Sequence, residues 1–295
     1  MRLRELQVRF GLFAASLLAM LWGYQLMLLD HLPDVFADPK EDMSYGWYIP
    51  LFSLYVLWTE RTKIRETVER DDSATRSILG VVMGLVVLLF STFVGFLGIR
   101  GLQVRLEIVG FVGMLYGLVW TFYGLRTVRQ VLFPVGFLLF CIPLHTYLDL
   151  VTIHLRMLAV TISTALLQGC GVEIVREGTM LASPTGAFSI DVAEPCSGMR
   201  SLFAMMALTA GYAYYFTQPT WFRRGLLFAL SIPIAIFGNV MRILTIAAVA
   251  SACSADFAMG FYHDYSGYVV FLTAVLLMVA AGGLITKGAS KCANS

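Results

Sequence analysis

The sequence predicts an all-α polytopic membrane protein of about eight transmembrane helices, with an interfacial amphipathic helix and a short extracytoplasmic β-hairpin or flap. Three observations carry that reading. Of 295 residues, 58% are hydrophobic and 14% charged, where a soluble domain carries roughly 25% charged residues. The mean hydropathy is +0.77. Apolar stretches recur along the whole chain, most of them near the ~20 residues that an α-helix needs to cross a hydrocarbon core. Lipid offers no partner to an unpaired backbone amide, so a helix is the default for each stretch. With no internal repeat or low-complexity tract, residues 1–295 read as a single integral-membrane domain.

The charged start MRLRELQVR leads into an apolar stretch from Phe10 to Leu29. It ends in Leu-Leu-Asp-His rather than at a small-residue cleavage site, so it reads as a retained first span and not as a signal peptide. Further spans are expected near 47–60, 78–98, 106–124, 129–145, 200–217, 225–249 and 267–286. The second is short and contains Pro50. Residues 147–168 differ, because Asp149, His154, Arg156, Gln168 and several threonines interrupt the leucines. That mixture suits a helix lying in the interface better than one crossing it.

Orientation follows from the basic residues, which are enriched in cytoplasmic loops. With the N-terminus inside and 147–168 not crossing, 14 of the 21 basic residues fall inside, including Arg2, Arg4, Arg9, Arg61, Arg65 and Arg126. If 147–168 did cross, Arg223, Arg224, Lys287 and Lys291 would all move outside. The expectation is therefore a multi-pass protein of a bacterial inner membrane with both termini cytoplasmic. The acidic loop DHLPDVFADPKEDMSYG then lies outside. So does 171–195, whose β-branched residues, central Ser-Pro-Thr-Gly and alternating Phe-Ser-Ile-Asp-Val suggest the hairpin or flap.

The net charge of +2 gives no reason to expect a nucleic-acid partner. Cys141, Cys170, Cys196, Cys253 and Cys292 form no CxxC pair and no metal-ligand spacing with the four histidines. No metal and no cofactor is expected.

The same topology brings three reactive residues to the outer face. Cys196, in EPCSGMRS, precedes the sixth span. A lone cysteine in a membrane protein is commonly a small core residue, but a helix N-terminus lowers a thiol pKa and favours thiolate. Arg242, in GNVMRIL, lies within the seventh span. An arginine there normally faces a partner or a wet cavity, although snorkelling to the interface is the plain alternative. Asn239, at i−3, shares its helix face. His263 sits in the loop FYHDYSG and alone would pass for a solvated histidine. Together, an imidazole can move the thiol proton and a guanidinium can hold a developing oxyanion.

Several blocks, in order, resemble the exosortase/archaeosortase family of polytopic membrane transpeptidases. They are Tyr45-Gly46-Trp47-Tyr48-Ile49-Pro50, FLLFCIPL at 137–144, Gly171-Val172 with REG at 176–178, VAEPCSGMRSL at 192–202, IPIAIFGNVMRI at 232–243, and the late His263. The resemblance implies a catalytic set of Cys196 as nucleophile, Arg242 as oxyanion stabiliser and His263 as general base and acid. Arg200, Asn239, Ser197 and Glu194 stand in supporting or substrate-binding positions. It implies substrates that are exported proteins with a C-terminal sorting signal of the PEP-CTERM type: a short motif, a helix and a basic tail. The new C-terminus would pass to a membrane-lipid or cell-envelope acceptor. Where many relatives read Ile-Pro-Leu-Pro, this chain has Ile142-Pro143-Leu144-His145. Two other readings stay open on the residues alone: a non-catalytic component of polysaccharide export or transport, and a membrane acyltransferase.

Overall fold

A computed structural model describes residues 2–38, 43–70, 78–143, 145–184, 189–191, 199–216, 221–252 and 272–284. They fall into two units, Met1–Leu144 and His145–Ser295.

The first unit is organised by glycine. Helices α1 (Arg2–Gly23), α2 (Leu32–Ala37), α3 (Tyr48–Thr59), α4 (Arg61–Arg70), α5 (Ile78–Gly101) and α6 (Val104–Phe137) follow one another. Gly84 meets Thr121, Gly95 meets Gly110, Gly98 meets Glu107 and Gly117 meets Leu88, the register of an antiparallel pair formed by α5 and the start of α6. Without side chains the backbones come into contact, which suits a medium where lipid tails are as apolar as leucine and close packing drives association.

Helix α6 is two arms, not one rod. Gly124 has φ 84° and ψ 170°, outside the helical region. Tyr116 Oη donates to Leu132 O at 2.6 Å, although the residues are 16 apart. In a straight helix they would stand about 24 Å apart. The chain therefore folds back at Gly124, between the two spans expected at 106–124 and 129–145. The second arm tolerates Pro134, whose carbonyl accepts a 2.5 Å hydrogen bond from Ser53 Oγ of α3.

Helix α1 lies antiparallel to the first arm, with Phe13 edge-on to Tyr123 and Tyr24 edge-on to Phe111. The chain then bends by 61° between Gly23 and Met27 and continues through a π-helical turn at Met27–His31 into α2. At the 3₁₀ turn Ser44–Trp47, a Cβ on Gly46 would run into the Phe36 ring, which itself packs edge-on against Trp47. Helix α3 has 12 residues, about 18 Å, so the expected span at 47–60 is shorter than a ~30 Å hydrocarbon core.

In the second unit, α7 (His145–Gly169) covers the segment expected at 147–168. Gly171, at φ 83°, ends it. Its N–H bonds Gln168 O and the Val172 N–H bonds Leu167 O, each at 3.0 Å, a Schellman closure that needs the left-handed residue. The chain turns back into three short antiparallel strands, β1 (Val175–Glu177), β2 (Met180–Ala182) and β3 (Ser189–Asp191), in the order β1-β2-β3. The expected hairpin thus carries a third strand. Leu181 of β2, fully buried, joins Ala159, Val160 and Leu167 of α7 in one apolar cluster. Helices α8 (Met199–Phe216) and α9 (Trp221–Ala252) and α10 (Leu272–Leu284) complete the unit.

Among the described residues, Ile78–Gly101, Gly225–Ala250 and Val104–Cys141, the last taken as one stretch across the fold-back at Gly124, are long and apolar enough to cross a membrane, and the bent α1–α2 pair makes a fourth if it counts as one span. The remaining spans of the expected eight rest on the sequence.

Candidate functional site

Arg242 and Asn239 both stand on α9, three residues apart and each half-buried. Their neighbours Val240, Ile243 and Ile246 are buried in the cluster that unites α7, the sheet and α9. Phe237 and Met241, by contrast, are 50% and 38% exposed. Arg242 therefore lies on the covered half of its helix. Thr245 Oγ1 donates to Arg242 O at 3.0 Å, a local bond to the backbone.

The packing of α8, α9 and α10 fixes what lies level with Arg242. Met205, Ala235, Ala274 and Met278 share one buried cluster. Thr209 Oγ1 donates to Met278 Sδ at 2.9 Å, and a Cβ on Gly282 would meet the Tyr212 ring, so α8 and α10 run parallel. Helices α8 and α9 pack together across a connection of residues 217–220, and so short a link makes them antiparallel. Arg242 is seven residues beyond Ala235, about 10 Å, and Met199 is six before Met205, about 9 Å. Arg242 thus stands level with the N-terminal end of α8. Leu272, the first described residue of α10, lies two residues before Ala274 on that same side of the cluster.

Cys196, Ser197, Glu194 and His263 lie outside the described residues. In sequence, Cys196 precedes Met199 by three positions, and His263 falls between α9 and α10. Arg200 is the second residue of α8, and its side chain also lies outside the description.

The flap is held from beneath by Arg176, whose Nη1 donates to Thr161 Oγ1 at 2.6 Å, while Nε donates to Gly178 O at 2.9 Å. Gln168 Nε2 adds a 3.1 Å bond to Ile174 O. Sequence reasoning singled out REG at 176–178 without seeing this role. The arginine bridges two elements, and Gly178, at φ 65°, makes the turn. A second feature escaped altogether: Glu107, fully buried, sits 3.0 Å from His31. Its signal was a carboxylate within an apolar run, which normally has a partner.

A family profile described as transmembrane exosortase matches residues 37–280, across both units. No curated protein and no solved structure matches the chain.

Proposed function

The chain belongs to the transmembrane exosortase family, and from that premise we propose that it is a membrane-embedded cysteine protease-transpeptidase acting on the C-terminal sorting signal of exported proteins. The Cys196 thiolate attacks the scissile carbonyl carbon. Arg242 holds the oxyanion that forms, in place of backbone donors. His263, having taken the thiol proton, returns it to the departing amine, and a thioester to Cys196 remains. An acceptor nucleophile from the envelope, or water, then loses its proton to His263 and releases the new C-terminus. Arg200, Asn239, Ser197 and Glu194 support or orient the substrate. The site works at the periplasmic face of the inner membrane, with both termini in the cytoplasm.

The observation that supports this best is the position of Arg242. It is on the covered side of α9, level with the N-terminal end of the helix that begins three residues after Cys196. Mass spectrometry of a co-expressed sorting-signal protein tests the reading. A shortened C-terminus should accumulate with the wild type and vanish with Cys196→Ala. Full-length substrate persisting with the wild type, across several candidate motifs, overturns it.

A further inference from the structure

A half-enclosed groove of about 1180 Å³ runs along α1, α3, α4 and both arms of α6. Its walls are overwhelmingly apolar, with Phe13, Leu54 and Val131 among them. Its charged lining is confined to one end, where α4 presents Arg61, Arg65 and Glu69. Arg61 lies over the Trp58 ring, 4.3 Å from its centroid, and Trp58 is 62% exposed. An exposed tryptophan beside an arginine marks the headgroup level of a bilayer.

The charge at its end chooses between the apolar occupants that could fill such a groove. Hydrocarbon chains are thin and deformable and can fill it. At the charged end two arginines face one carboxylate, and Glu69 Oε1 is already bonded to Arg65 Nε at 2.8 Å. The surplus is positive, which attracts a phosphate and repels a basic tail.

We propose that this groove holds a phospholipid with an acidic headgroup, its phosphate on Arg61 and Arg65 and its acyl chains between α1, α3 and α6. Helix α4 then acts as the headgroup clamp of the unit. This site is independent of the proposed chemistry at Cys196.

The test uses the full chain, reconstituted in nanodiscs of phosphatidylcholine with phosphatidylglycerol and released for native mass spectrometry. The wild type should retain phosphatidylglycerol in preference to phosphatidylcholine. Each arginine near a membrane surface contributes about fivefold to acidic-lipid binding, so Arg61→Gln and Arg65→Gln should each cut that preference about fivefold. Both side chains are exposed on α4, and circular dichroism should show the fold unchanged. Leu54→Trp, which fills the groove, should lower retention of both lipids. Equal retention of the two lipids by the wild type overturns the proposal, as does an undiminished preference in the Arg61→Gln/Arg65→Gln double variant. Photo-crosslinking from position 54 that captures a peptide helix instead of lipid overturns it as well.

Discussion

His31 Nδ1 lies 3.0 Å from Glu107 Oε2, joining residues 76 apart, with the carboxylate fully buried. The pair fastens the π-helical turn after α1 to the start of α6. It also explains how a carboxylate stays within an apolar helix pair, where an unpartnered charge would be too costly.

Removing one member of this pair should therefore hurt more than removing both. Breaking a buried pair by deleting one partner costs roughly 3–5 kcal/mol, and His31, being 27% exposed, belongs at the low end. His31→Ala should cost about 3 kcal/mol in equilibrium unfolding in detergent, while His31→Ala/Glu107→Leu recovers most of the loss. Equal losses in the single and double variants would show that the pair is not the source.

The glycine contacts of α5 and α6 make a sharper prediction. A Cβ on Gly110 would stand 2.5 Å from Gly95 Cα, with backbone rather than a flexible side-chain tip in the way. Gly110→Ala should cost about 1–3 kcal/mol, the usual penalty of overpacking. Gly11, with open space around it, is the control, and Gly11→Ala should leave the thermal midpoint unchanged or raise it.

Arg176 ties the flap to α7 through Thr161. Arg176→Ala should leave the helices intact and loosen only the strands. Hydrogen exchange at 175–182 should speed up about fivefold to tenfold, the worth of roughly 1–1.5 kcal/mol of hydrogen bonding. Uniform acceleration along α7 and α9 would mean that the arginine supports the whole unit.

Arg242 separates charge from geometry. Under the proposed chemistry, Arg242→Gln should lower kcat by roughly 10²–10³, as removal of an oxyanion donor does, with little change in KM. Arg242→Lys should restore part of that rate, because charge returns without the planar fork. A variant that unfolds would lose both parameters, which circular dichroism separates from a purely kinetic defect.

The proposed orientation can be read from a cysteine outside the chemistry. Cys170, exposed at the end of α7, should react with a membrane-impermeant maleimide added to spheroplasts, while buried Cys141 should not. Labelling of Cys170 only after lysis would put the flap on the cytoplasmic side.

Long apolar runs were legible from the sequence because lipid demands continuous apolar surface. The helices α5, α8 and α9 begin and end within a few residues of the expected 78–98, 200–217 and 225–249. The turn at Gly124 was legible as a gap between two spans, but not as a single residue. Glycines that permit close packing and a glycine that reverses the chain look alike in sequence. The third strand was missed because a three-residue strand has too little alternation to declare itself. The position of Arg242 could be reasoned from polarity and topology. His31 and Glu107 meet only through tertiary packing, and no local pattern joins them.

The fold-back at Gly124 has a consequence for how the protein enters its membrane. Without it, Val104–Cys141, 38 residues, would be a rod of about 57 Å, nearly twice the thickness of the hydrocarbon. With it, the two arms can partition as a preformed hairpin that returns the chain to the side where the first arm began. A side-chain-bearing residue at position 124 would resist φ 84° and ψ 170°, at a cost of about 1–3 kcal/mol, and favour the continuous rod. One residue thus decides whether this stretch is a single rod or a hairpin.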